Sequence, residues 1–436
     1  MQDRERLGNT VYKMMVIAAL IVALPSHVLY YLAPFAVFIY GVIRKLISVR
    51  KTVAIYLIFT AFTFLSYLLN YLLSESTNWA AYFWATITYA PFLLLFSIGG
   101  NFLINNEINA KVINFIILFA IVQVATCFFQ IFSGAIWDNI SGTFGLQDMF
   151  NSDATTVAQM MFAVNMLTIA SFLYTYMERM FIKVVLVLIF VAVAASQSGH
   201  ATIFFILSFG CVYLVEINLK RFALGLLGIV LFYFAVAFYF PETVELGSSW
   251  YSQLFEIDFP KIVIVEVLFK DILDLKTFFL GTGVGQFSSR AALISSGDYI
   301  QAALPSFLTG QSSFYKHSFL PVFDVLYRGV PFYSGSAIPS PTFSALSIIA
   351  EFGVVFFVVI VVKLLLEYMK NRKLMRTQNN EQKMLAKFLN FQIVFLLLCC
   401  CIENYAEYVQ AIFLPLLLYI IVKARIKFLT EEAKSI

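Results

Sequence analysis

The sequence predicts an all-α polytopic membrane protein, with about twelve spanning helices and one large extracytoplasmic loop over residues 241–341. Three observations predict it. Hydrophobic residues make up 61% of the 436 residues and charged residues 12%, more apolar side chain than a soluble globule can hide. Apolar runs of spanning length recur along the chain. The clusters of Lys and Arg between those runs all fall on one side of the alternation.

The runs lie near 11–25, 28–43, 52–73, 79–98, 111–133, 154–175, 180–196, 201–217, 222–240, 342–368, 388–402 and 405–422. At about 1.5 Å per residue, most can cross a hydrocarbon core of roughly 30 Å. The first two are short and read equally as a pair broken at Pro25. The opening Met1-Gln2-Asp3-Arg4-Glu5-Arg6 imitates a signal peptide. Leu24-Pro25-Ser26-His27 offers no small-x-small cleavage site, so a retained first helix is expected.

Charge fixes the alternation. Arg44, Lys45, Arg50 and Lys51 follow the second run, Arg179 and Lys183 the sixth, and Lys220 and Arg221 the eighth. Lys370, Arg372, Lys373, Arg376, Lys383 and Lys387 follow the tenth, and Lys423, Arg425 and Lys427 the last. All fall on one side if both termini are cytoplasmic. The opposite connections at 74–78 and 403–407 are acidic, and 134–153 carries Asp138, Asp148 and Asp153. The chain divides into 1–240 with nine spans, the loop 241–341, and 342–436 with three spans and a cytoplasmic tail.

The net charge of +4 gives no nucleic-acid footprint. Cys127, Cys211, Cys399, Cys400 and Cys401 all lie in apolar runs, so neither a disulfide framework nor a zinc site is expected. No internal repeat and no inverted pair of broken helices stands out.

Several segments could carry chemistry. Within the loop, Asp258 is placed to cap a helix with Pro260 in its first turn. Ile262, Val265, Phe269 and Ile272 would share its apolar face, with Lys261, Lys270, Asp271 and Asp274 mostly elsewhere. Such a helix suits a membrane surface or the inside of a small loop domain. It leads into Gly281-Thr282-Gly283-Val284-Gly285, whose glycines would expose backbone N–H groups as an anion cradle, or merely make a tight turn. Ser196-Gln197-Ser198-Gly199-His200 is a short polar connection, either a plain hairpin turn or a polar head. Glu351 falls about two and a half turns into the tenth run, where a carboxylate needs a cavity or a polar partner: it is either a helix staple or a working group.

In this order the segments resemble the bacterial O-antigen polymerase (Wzy-type) and O-antigen ligase superfamily of integral-membrane glycosyltransferases, over about residues 141–360. Gly142-Thr143-Phe144 with Asn151 is similar to that family's outward segment before a helix. Gln197-Ser198-Gly199-His200-Ala201 stands where many members have a Ser-Arg turn. Leu280 to Phe287 is similar to the family's glycine motif, and Ile349-Ala350-Glu351-Phe352-Gly353 to its Glu-x-Gly signature. There are departures. Lys261 holds the place of an Arg, and Gly199-His200 replaces the Arg of the short turn. Ser340-Pro341-Thr342-Phe343 stands where ligase members have His-Asn, which favours polymerase over ligase.

The resemblance implies a GT-C-like fold in the bacterial inner membrane, with the loop periplasmic. It implies a polymerase that moves a growing glycan from polyprenyl diphosphate onto a lipid-linked repeat unit of O-antigen, capsule or exopolysaccharide, with no cofactor or metal. A chain-length regulator and a flippase are the expected partners besides the bilayer and the two lipid-linked glycans. The site would need cations for the diphosphate and a base for the acceptor hydroxyl. Lys261, Arg290, Arg328 and His200 are the diphosphate candidates; Glu351, His317, Asp298 and Asp324 are the base candidates, in falling order. Two other classes stay open: an O-antigen ligase, and a transporter or flippase of lipid-linked sugars, which would need more charge inside its helices.

Overall fold

The computed structural model describes residues 2–24, 29–98, 102–135, 140–148, 157–196, 198–214, 259–297, 305–328, 340–376 and 379–435, with Phe234 and Phe238. Most of the ninth expected run and Asp298 lie outside these residues.

The described chain is helical, and among the described residues there is no strand, only an isolated bridge between Ile47 and Ile98. The first half carries α1 (Gln2–Val22), α2 (Leu32–Ile43), α3 (Val49–Leu72), α4 (Ala80–Thr88), α5 (Ala90–Ser97), α6 (Asn106–Phe132), α7 (Val157–Tyr174), α8 (Met180–Ala195) and α9 (Gly199–Phe209). The second half carries α10 (Pro260–Val267), α11 (Leu275–Leu280), α12 (Arg290–Ser296), α13 (Ser344–Phe352), α14 (Val354–Leu374), α15 (Asn380–Cys400) and α16 (Val409–Ser435). Side-chain caps start the long ones: Asn105 accepts from Ile108 N–H at 2.9 Å and Asn379 from Gln382 N–H at 3.1 Å.

Among the described residues, α3, α6 and α15 are each long and apolar enough to cross a membrane. The pair α4–α5 passes the same test together but bends by 55°. The sequence reads 79–98 as one run; Pro91 breaks it, because its ring has no N–H to give and clashes with the preceding turn.

The bundle has two distinct ends. Arg4 donates to both carboxylate oxygens of Glu431, at 3.0 and 2.9 Å, while Gln410 Nε2 donates to the Val22 carbonyl at 3.4 Å. So α1 and α16 lie antiparallel. Gln410 and Glu431 are about 32 Å apart at the helical rise, close to the roughly 30 Å of a hydrocarbon core. The Arg4 end also holds Arg425 forked onto Glu381 (2.9 and 3.0 Å) and Lys423 on Glu367 (2.8 Å). At the opposite end lie the glycine motif and the turn 401–408 between α15 and α16.

Three packed cores position that end, one of them joining Phe59, Ala85 and Tyr89 to Val284 and Phe352. The largest is built from residues of α1, α6, α7, α8, α9, α15 and α16. Another belongs to the loop segments: Ile264, Leu268, Phe287, Leu293, Tyr315, Phe319 and Phe323 pack with Leu346 and Ala350 of α13. Helix α10 therefore buries Lys261, Ile264, Leu268 and Ile272, while Ile262 and Phe269 are exposed. This corrects the face read from the sequence. The offset is already present at Lys261 and Ile264, ahead of the π-helical turn Leu268–Ile272: the buried stripe lies one position N-terminal to the expected one and meets it at Ile272. Pro260 does occupy the first turn, but Phe259 holds the cap position and Asp258 lies outside the described residues.

The run 342–368 is also two helices. Gly353, at φ 95° and ψ 155°, separates α13 from α14. Glu351 thus sits next to the end of a short helix, not inside a continuous span.

Candidate functional site

The glycine motif is an anion cradle, and the anion is Glu351. The three glycines have φ of 68°, 100° and 76°, all in the left-handed half of the map. The chain then turns its N–H groups inward. Glu351 Oε2 accepts from Gly285 N–H at 2.5 Å; Oε1 accepts from Phe287, Ser288 and Ser289 N–H at 3.1, 3.1 and 2.9 Å. Four backbone donors thus converge on one carboxylate, three on Oε1 and one on Oε2. Its side chain is fully buried. Such saturation is what a staple between loop and helix requires.

Backbone contacts extend the joint. Thr282 N–H donates to Ala350 O at 2.7 Å and Gly283 N–H to Glu351 O at 3.2 Å. A Cβ on Gly281 would meet the Glu351 carbonyl carbon at 2.2 Å, and one on Gly353 the Phe279 carbonyl at 2.8 Å. The two chains cross where only glycine leaves room. On the other side, α3 grips the motif: Asn70 Nδ2 donates to Thr282 O at 2.7 Å and the Tyr67 hydroxyl to Val284 O. Lys276 Nζ bridges Asn70 Oδ1 and Gly281 O, both at 2.5 Å; burial lowers this ammonium to about 8, against the pull of Asp274 and Glu75.

Beside the cradle lies a second polar cluster, organised by the turn 401–408. Glu403, Asn404, Tyr405 and Glu407 are all buried there. Ser344 N–H donates to Glu403 O at 3.1 Å, and Ala406 N–H to Ser344 Oγ at 3.0 Å, so the turn caps the start of α13. His200 Nε2 bonds the Tyr405 hydroxyl at 2.7 Å. Lys261 donates to the carbonyl of Ser340 and, at 3.5 Å, to that of Thr342; its ammonium lies 5.4 Å from the Phe343 ring centre. Burial lowers Lys261 to about 8, with Glu403 opposing. Burial raises Glu403 to about 7, with Lys261 opposing.

Arg290 opens α12 and is buried. Its backbone N–H donates to Glu407 Oε2, and Nη2 donates to the Tyr30 hydroxyl at 2.9 Å. Its guanidinium carbon lies 4.1 Å from the Tyr408 ring centre and 5.5 Å from that of Tyr31. Three tyrosines thus frame this fork. Burial raises Glu407 to about 8; the Arg290 N–H and guanidinium pull it down, and the charge of Glu351 pushes it up.

Of the residues singled out from sequence, Glu351 and the three glycines form the cradle, and Lys261, Arg290 and His200 join the adjoining cluster. His317 does not: it is exposed on the π-helical turn Tyr315–Phe319, and no bond among the described residues links it to the cluster. Asp324 is half-buried in Val322–Arg328, Arg328 ends that segment, and Asp298 lies outside the described residues. Sequence reasoning noted 403–407 as an acidic connection and did not single out Glu403 or Glu407 for chemistry. The flanking Tyr405 and Tyr408 were the available signal, since aromatic neighbours announce burial. Among the described residues, no group of three His, Cys, Asp or Glu is placed to hold a metal ion. No protein-family model matches the chain, and no curated protein matches it.

Proposed function

We propose that this chain is a membrane glycosyltransferase of about twelve spans that polymerises a polyprenyl-diphosphate-linked repeat unit at the extracytoplasmic face, with both termini cytoplasmic. One observation carries the proposal: segments far apart in sequence, each singled out for its chemistry, meet in one buried polar cluster at the end of the bundle opposite the Arg4 end. A transferase of this kind needs a planar cation for the leaving diphosphate and a base poised near neutral pH. Arg290 offers the first, in a frame of tyrosine faces that also suit sugar rings. Lys261 adds a second cation. Glu407, raised to about 8, is better suited to take the acceptor's proton than Glu351, which four backbone N–H groups hold in place.

In the reaction the acceptor hydroxyl attacks the anomeric carbon of the growing chain, Glu407 in its ionised form receives the hydroxyl proton, and the bond to the diphosphate oxygen breaks. Arg290 and Lys261 stabilise the charge that develops on that oxygen. A ligase of the same superfamily is the second reading. It is disfavoured because the segment 340–343, where ligases carry His-Asn, supplies carbonyls to Lys261 instead. The test is reconstitution in proteoliposomes with a purified lipid-linked repeat unit. Glycan ladders are expected, and Arg290→Ala should reduce them about 10²–10³-fold at normal protein abundance. Transfer only to another acceptor would make the chain a ligase; movement of the substrate without bond formation would make it a flippase.

A further inference from the structure

We infer that the Arg4 end carries a binding site for the phosphate headgroup of an anionic lipid, about 30 Å from the proposed reaction site. A cavity of about 440 Å³ opens between the first turns of α1 and the last turn of α2. Arg6, Lys13, Arg44 and Lys45 line it, against one carboxylate, Asp3. Neighbouring cations at this end are neutralised within the protein: Arg4 by Glu431, Arg425 by Glu381, Lys423 by Glu367 and Lys111 by Glu107. No ion pair among the described residues reaches the four that line the cavity. Four cations held around one space repel each other, and a phosphate relieves that repulsion.

Two further observations point to a lipid. Lys45 sits at φ 59°, in the left-handed turn after α2, a position that glycine or asparagine usually fills. A cation stands there instead. An exposed apolar stripe, Leu32, Phe35, Ile39 and Ile43, then runs down α2 from the cavity. Its spacing of three to four residues keeps it on one helix face, so a headgroup in the cavity would lay its tail along that face.

The test uses the purified full-length protein in neutral detergent. Binding is read by native mass spectrometry and by the thermal midpoint, with phosphatidylglycerol, phosphatidylcholine and inorganic diphosphate as probes. Phosphatidylglycerol should bind and stabilise at 0.15 M salt where phosphatidylcholine does not. The triple variant R6Q/K13Q/R44Q should weaken that binding roughly 100-fold, at about a factor of five per charge. The control K370Q/R372Q/K373Q, at the end of α14, should leave it unchanged. Inorganic diphosphate alone binding as tightly as the lipid, and losing affinity in the same variant, would overturn the lipid assignment in favour of a soluble phosphate ligand. Equal binding of both lipids, or equal loss in both triple variants, would overturn the site.

Discussion

Two glutamates at the same end of the bundle have opposite surroundings. Glu351 at the end of α13 receives four backbone N–H bonds. Glu407 in the turn 401–408 receives one backbone N–H, from Arg290, whose guanidinium is the group that the three tyrosines frame. Both are buried. The difference is in what burial does to each charge. At Glu351 fixed donors replace water, and the carboxylate locks loop to helix. At Glu407 fewer donors offset burial, which pushes the group up to about 8, where a proton moves readily at physiological pH. A saturated carboxylate builds the site, and an under-satisfied one is free to work in it.

The largest expected effect is at Glu351. Glu351→Ala leaves four buried N–H groups without an acceptor and should cost on the order of 3–5 kcal/mol, seen as loss of folded protein in detergent extracts. Glu351→Gln keeps one acceptor oxygen but turns an NH₂ toward donors, and should cost roughly 1–3 kcal/mol. If Glu351→Gln melted like the wild type yet made no polymer, Glu351 would be chemical and the contrast would fail.

Next comes pH. Glu407 has its folded value raised from 4.5 to about 8, so the folded state holds its proton over a window in which the unfolded chain has released it. Stability therefore falls as pH rises from about 4.5 to about 8 and then levels off. Glu403, raised to about 7, adds to the same slope. Glu407→Gln should flatten that decline while lowering ladder formation about 10²–10⁴-fold. An unchanged slope in the melting temperature against pH would show that Glu407 is not held protonated.

The smallest effect concerns Lys261. Its value is lowered from 10.5 to about 8, so the penalty for burying its charge is fully present below 8 and is relieved between about 8 and 10.5. Lys261→Arg should retain most ladder formation and lose this alkaline rise, while Lys261→Ala should lose most of the ladders. Wild-type ladders from Lys261→Ala would leave the diphosphate to Arg290 alone.

The sequence makes some of this legible and hides the rest for identifiable reasons. Composition announced the helical class, and the glycine motif and Glu351 each drew notice as an anion cradle and a costly carboxylate. That the one fills the other is a tertiary fact joining residues 66 apart. Hydropathy ran straight through Gly353 and Tyr89, because a window average does not register a positive φ or a proline's missing donor. Lys261 was assigned to the polar face because of its charge, whereas the Ser340 and Thr342 carbonyls satisfy its ammonium inside the core, a contact between distant segments. Glu403 and Glu407 were counted only as charge in a connection, because nothing in one segment shows that Arg290 and Lys261 fold onto it.

The cradle also sets a clock on biosynthesis. Glycines 281–285 leave the ribosome before Glu351 does, and at roughly 5–20 residues per second a gap of 66 residues is about 3–13 s. For that interval the motif's N–H groups have no internal acceptor, and water or a chaperone must hold them. A nascent chain stalled before residue 351 should therefore leave the loop open to protease, whereas one stalled after α13 has cleared the ribosome should close it. The order in which the chain is made thus decides when the glycine-motif end of the bundle becomes solid.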